Sequence, residues 1–261
     1  MVFCRFCGTK EIQFRKSGKF GCGYCVQVFE YPKFTKTQII PKNRIDVLEK
    51  FVKENSRFLT ILSFRTRITR NIKSNRFPFY DSLFDKSKQL LVENEMEYWL
   101  YPNGLYPPNT LSENFEERMG FYLGSEDHIR WEKISFPYPL GGNDGSSLTE
   151  KKTKHKIFRF LLLKENWAEF AEIGYISSCP TNLGAGRRDS VLVSVDSVVS
   201  PKFFSILQTL TEFGIEFAPS SDHSFRKIGK NPVLVVKISW KNARAVQKRQ
   251  FYKILGLRGS L

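Results

Sequence analysis

The chain has 261 residues, 41% of them hydrophobic and 15% aromatic, which excludes default disorder and fits one sizeable core or a small module beside a larger domain. A formal charge of +15 points to anionic partners: nucleic acid, nucleotide phosphates, an acidic protein or a membrane surface. No apolar run approaches the ~20 residues needed to span a bilayer, the first residues lack signal-peptide character, and five cysteines make a poor disulfide framework, so a cytoplasmic protein in a reducing compartment is expected.

Residues 1–31 are rich in Cys, Gly, Phe and basic side chains. Cys4-x2-Cys7 and Cys22-x2-Cys25 lie 14 residues apart. Each pair can offer two thiolates from one tight knuckle, and two knuckles complete a closed tetrahedral site, so structural zinc held by Cys4, Cys7, Cys22 and Cys25 is expected, with a redox dithiol as the alternative. A module this small buries too little core to fold alone, which would make zinc a folding requirement. The intervening "QFRKSGKFG" reads as a solvated hairpin or as a basic, aromatic surface for nucleic acid or protein.

Residues 32–44 carry two prolines and no regular period, and read as a linker to a second domain at 45–261. Ile45, Leu48, Phe51 and Val52 then recur at helical spacing, with Asn43 as N-cap. A second helix is expected in "DSLFDKSKQLLVENEMEYWL" and a loop in "YPNGLYPPNTLSEN". Strands are expected at "RMGFYLG", "HIRWEKISF", "IFRFLLL", "VLVSV" and "PVLVVKIS", and a flexible polar insertion at residues 139–156. "SPKFFSILQTLTEFG" has Ser200 as N-cap, Pro201 in the first turn and Gly214 as stop. The larger part therefore reads as an α+β sheet domain.

Three segments, in order, carry a family resemblance. "SSCPTNLGAGRRDSV" resembles the cysteine loop of the ATP:guanidino phosphotransferases, the creatine, arginine and protein-arginine kinases; "LSFRTRITRN" (62–71) and "SEDHIR" (125–130) resemble that family's RxR and EDHIR segments. The segment "CGTKEIQFRKSGKFGCGYCVQVFE" resembles the zinc module of the activator protein that partners bacterial protein-arginine kinases. The resemblance implies a mostly antiparallel sheet flanked by helices, MgATP as cofactor beside structural zinc, and phosphate contacts from Arg65, Arg67, Arg130 and Arg188. These would neutralise a polyphosphate through planar, permanently charged forks. It implies Glu126 as the carboxylate that orients the acceptor guanidinium and Cys179 as an anion against it, the two catalytic residues. Asp127 and His128 would be structural, and Arg187 would face away from Arg188.

The chain departs from the family at named places. Ser125 stands where the family has an acid, and residues 217–239, matching the family's mobile loop, offer Asp222 as their only acid and Arg226 as a stand-in for its arginine. Arg67 and Arg130 are only 63 residues apart. The expectation is an ATP-dependent phosphotransferase of the guanidino-kinase type with weakened machinery, acting on protein arginine. The alternative is an inactive scaffold that binds nucleotide or a phosphorylated partner and regulates a protein-arginine kinase system. A zinc-ribbon nucleic-acid binder ranks behind both, and no membrane role is expected.

Overall fold

The computed structural model describes residues 2–31, 39–73, 79, 84–101, 117–123, 126–135, 148–220, 233–241 and 245–255. Its centre is a six-stranded, wholly antiparallel sheet in the order β2-β3-β1-β6-β8-β7. The strands are β1 (Leu59–Arg70), β2 (Glu117–Leu123), β3 (Ile129–Ser135), β6 (Arg187–Asp196), β7 (Ile215–Pro219) and β8 (Val233–Lys241). A two-stranded ribbon, β4 (Glu169–Phe170) with β5 (Gly174–Tyr175), precedes the Cys179 loop.

Period-two alternation gives the sheet one apolar and one polar face. On the apolar face Val191, Val193, Val195, Val236, Ile238 and Trp240 form a core with helices α3 (Lys42–Glu54), α6 (Ser200–Gln208) and α7 (Ala245–Ile254). Ile68, Phe121, Ile129 and Trp131 form another with α4 (Phe84–Glu93) and α5 (Leu148–Leu161). Helix α3 presents Ile45, Leu48 and Phe51 at spacings of three, all buried. Burying each such side chain is worth roughly 1.5–3 kcal/mol. Leu48→Ala would leave a hole at a fully enclosed position, a change that costs about 2–5 kcal/mol.

Several local expectations are corrected. "IFRFLLL" is not a strand: it lies in α5 and the turn after it, where Ile157, Phe160 and Leu161 bury one helical stripe. Residues 148–156 of the expected insertion belong to the same helix. "QFRKSGKFG" is not a hairpin, because residues 11–17 form α1 (Glu11–Ser17), stopped by Gly18 at φ +65°. Pro41 rather than Asn43 caps α3, and the helix begins at Lys42, inside the stretch read as linker. Val199 rather than Ser200 caps α6; Pro201 does lie in its first turn, and the helix ends at Gln208, before a 3₁₀ turn closed by Gly214. Among the described residues, no helix is long and apolar enough to cross a membrane.

Candidate functional site

The polar face of the sheet gathers cations from four strands. Arg67 lies directly opposite Arg188 on one side and Glu132 on the other. Arg65 is two residues along the same strand, hence on the same face, and Arg130 is two residues from Glu132 on β3. Lys237, opposite Leu192, shares that face from β8. Facing residues on paired strands sit about 4.5–5.5 Å apart, so Arg65, Arg67, Arg130 and Arg188 form one patch although 123 positions separate the first from the last. Arg187 points to the other face, where it pairs with the buried carboxylate of Asp189 at 2.9 Å.

Glu132 is the hub of the patch. It is fully buried and accepts hydrogen bonds from the Nε of Arg65 and, at 3.2 Å, of Arg67. Burial pushes its carboxyl up, but the two arginines outweigh that and hold it below the usual carboxylate range. Burial, then the charges of Arg65 and Arg130, lower the Arg67 pKa, and burial followed by Arg188, Arg65 and Arg67 lowers that of Lys237. Arg130 rests on Tyr122, with Nη1 donating to the hydroxyl at 2.6 Å, and its buried Nε has no hydrogen-bond partner among the described residues. Arg188 donates to Glu216 at 3.0 Å and Ser239 at 2.9 Å. Four arginines and Lys237 thus share one sheet face around the buried Glu132, with Glu216 a second carboxylate at Arg188, and the excess of positive charge gives that face a field that attracts anions.

Glu126 and Cys179 are linked through their neighbours, Asp127 and Ser178. The Asp127 carboxylate, 1% exposed, accepts from Asn71 Nδ2 and the Ser178 amide, both at 2.8 Å, and from Ser177 Oγ at 3.1 Å. His128 Nδ1 accepts the Ile72 amide at 3.1 Å, and its own amide donates to Asn71 Oδ1 at 2.9 Å. Asp127 and His128 thus fasten the start of β3 to the end of β1 and to the Cys179 loop. Cys179 is partly buried, its Sγ 2.9 Å from Thr181 Oγ1, at the head of a 3₁₀ turn over Pro180–Asn182. Ser125, Asp222 and Arg226 lie outside the described residues.

The four N-terminal sulfurs all lie within 4.8 Å of one another. Cys4–Cys22, Cys7–Cys25 and Cys22–Cys25 are 3.7, 3.5 and 3.9 Å apart, close to the ~3.8 Å edge of a tetrahedron with metal–sulfur bonds of ~2.3 Å. A Cβ on Gly21 would stand 2.1 Å from Thr9 Oγ1 and 3.0 Å from Cys7 Sγ, so the cluster needs glycine there. A hydrogen bond from Cys25 is the main influence lowering Cys22 to about 5, while that same bond raises Cys25 and burial raises Cys4. Four cysteine sulfurs at these separations are a donor set that fits a thiophilic cation.

The cysteine module, including α2 (Cys25–Val28), packs on the Cys179 loop rather than standing apart. Phe14, Phe20, Val26 and Phe29 share a core with Ile176, Leu183 and Phe79. The Phe20 amide donates to the Ser178 carbonyl at 2.7 Å, and the Phe79 amide to the Gly21 carbonyl at 2.9 Å. Lys19 Nζ reaches Glu126 Oε2 at 2.5 Å. Sequence reading missed Glu132, Lys237 and Lys19. Alternation from Arg130 gives a signal for Glu132, whereas nothing local links Lys19 to a carboxylate 107 positions away.

Comparison with known proteins bears on the family and the fold. The chain is 26% identical over 200 residues to the protein-arginine kinase of Staphylococcus saprophyticus, covering 66% of this chain and 57% of that protein. It is 33% identical over 130 residues to the protein-arginine kinase of Bacillus cereus, covering 49% and 34%. The chain thus spans between a third and three-fifths of the length of these relatives. Its fold matches the duplicated taurocyamine kinase of Schistosoma mansoni with bound transition-state analogue components, at TM-score 0.52 and 15% identity over 91% of this chain and 39% of that one. Residues 85–224, more than half of the sequence, match the family described as ATP:guanido phosphotransferase, C-terminal catalytic domain, and the chain belongs to that family.

Proposed function

We propose that the chain transfers the γ-phosphoryl group of MgATP to a guanidinium nitrogen, with protein arginine as the acceptor class. The observation that carries this is the patch of Arg65, Arg67, Arg130 and Arg188 on one sheet face, together with the bond from the Ser178 amide to Asp127 that ties the neighbour of Cys179 to the neighbour of Glu126. The arginines would hold the phosphates and neutralise charge on the transferring group. Glu126 would orient the guanidinium and take its proton as the N–P bond forms and the bond to the leaving ADP oxygen breaks, and Cys179 would supply a second anion. Ser125 in place of an acid and the single acid in residues 217–239 favour slow turnover. A lost acid–base partner typically costs a factor of about 10²–10⁴. Cys4, Cys7, Cys22 and Cys25 would hold one structural zinc ion. The similarity to protein-arginine kinases supports the acceptor assignment.

The second reading, a scaffold that binds nucleotide or a phosphorylated partner without turnover, is favoured by the Lys19–Glu126 pair, which engages the proposed acceptor carboxylate. Incubation with MgATP and arginine-bearing proteins, read as acid-labile phosphoarginine, separates the two. Product formed by the wild type and lost in Arg188→Ala supports the enzyme. MgATP binding with no phosphoarginine from any acceptor leaves the scaffold.

A further inference from the structure

We propose that Lys19 is an acceptor-site residue supplied by the cysteine module, and that its ammonium competes with the incoming guanidinium for Glu126. The inference deepens the functional reading above and rests on Glu126 being the acceptor carboxylate.

An ordinary surface ion pair costs side-chain entropy and is worth little. This one is flanked at both ends by hydrogen-bonded neighbours, Phe20 and Asp127. Gly18 ends α1 in the left-handed region and turns the chain so that residues 19 and 20 run along the Cys179 loop. Phe20, fully buried, stacks on Phe14 at 4.9 Å and donates its amide to Ser178. Ser178 in turn donates its own amide to Asp127, the neighbour of Glu126. One short path of hydrogen bonds therefore links Phe20, the neighbour of Lys19, to Asp127, the neighbour of Glu126, and the ammonium meets Oε2 at 2.5 Å. Both side chains keep partial exposure, 30% and 42%, so the contact is open to exchange with a ligand.

An ammonium and a guanidinium are both cations that donate hydrogen bonds and seek the same carboxylate oxygens. With Lys19 in place, an arginine acceptor must displace it, and the module sets the acceptor affinity. Removing the charge at position 19 tightens acceptor binding, while an arginine there keeps the competition.

The test is calorimetric titration of an acetylated, amidated arginine peptide into the full-length protein. Lys19→Met should bind the peptide about two- to fivefold more tightly than the wild type, Lys19→Arg should match the wild type, and adding Glu126→Gln to Lys19→Met should abolish the gain. Thermal melts check that each variant folds, and Lys19→Gln replaces Lys19→Met if the latter does not. If Lys19→Met binds no tighter while Glu126→Gln weakens binding, the competition is refuted and the acceptor carboxylate stands. If Lys19→Arg tightens binding as much as Lys19→Met, charge is not what competes and the proposal fails. If binding ignores Glu126→Gln, the acceptor reading itself falls, and the proposal with it. A peptide that binds no variant also refutes it.

Discussion

The Asp127 carboxylate accepts the backbone amide of Ser178 at 2.8 Å, so the residue after Glu126 is fixed to the residue before Cys179. Three protein groups donate to this buried carboxylate. Asp127→Ala would strand all of them, and with each unsatisfied buried donor costing about 1–3 kcal/mol, a loss of at least ~3 kcal/mol is expected in urea unfolding. Acceptor affinity should fall further than nucleotide affinity, because the joint bonds directly to the Cys179 loop, whereas Arg65, Arg67 and Arg188 lie on strands that the sheet ladder itself holds.

Glu132→Gln should lower the melting temperature of the free protein, since Arg65 and Arg67 lose their shared counter-charge while Arg130, Arg188 and Lys237 still repel them. Tripolyphosphate should restore more stability to the variant than to the wild type, and equal shifts would show that the patch is not a polyanion site. The pH dependence has a definite sign. A carboxyl whose folded pKa is depressed contributes stability above its unfolded value, about 4.3, and loses it as pH falls through the folded value. The gap between wild type and Glu132→Gln should therefore close as pH falls below about 4.

Cys179→Ala should lower turnover at least tenfold and leave MgATP affinity within twofold, as expected for a group that acts on acceptor alignment in the transition state (roughly 10²-fold for acid–base groups). Single-turnover kinetics together with nucleotide titration check it. An equal loss in both would place Cys179 in the folding of its loop instead.

Cys22→Ser should release the bound metal and unfold the N-terminal module, because Cys22 lies within 3.9 Å of both Cys4 and Cys25. Elemental analysis should find about one zinc per wild-type chain, as a closed four-thiolate site requires, and none in the variant. A metal-free wild type with an intact α1 would refute the assignment.

Much of this was legible where short-range rules act alone. Ile45, Leu48 and Phe51 announce α3, and the paired CxxC spacing announces the sulfur cluster. The strand β1 was not, because "LSFRTRITR" alternates arginine with Phe64, Thr66 and Ile68, and a strand with one charged face lacks the apolar run that marks a buried one. "IFRFLLL" misled for the opposite reason: a short apolar run fits a strand or a buried helix, and only the packing of Ile157, Phe160 and Leu161 against the sheet decides. The four arginines were identifiable through their motifs. Their common face was set by the register Arg67–Arg188 and Arg67–Glu132, which no local pattern states.

The amide of Phe20 on Ser178 and that of Phe79 on Gly21 have a thermodynamic consequence. Opening the cysteine module means breaking the Phe20–Ser178 bond and the shared core with Ile176 and Leu183, so the module and the loop that carries Cys179 would share one opening equilibrium. A ligand that binds only the closed form at either end draws the other end closed with it. Metal at the sulfur cluster and a ligand that binds only the closed loop would then be linked, each raising the other's affinity by the same factor.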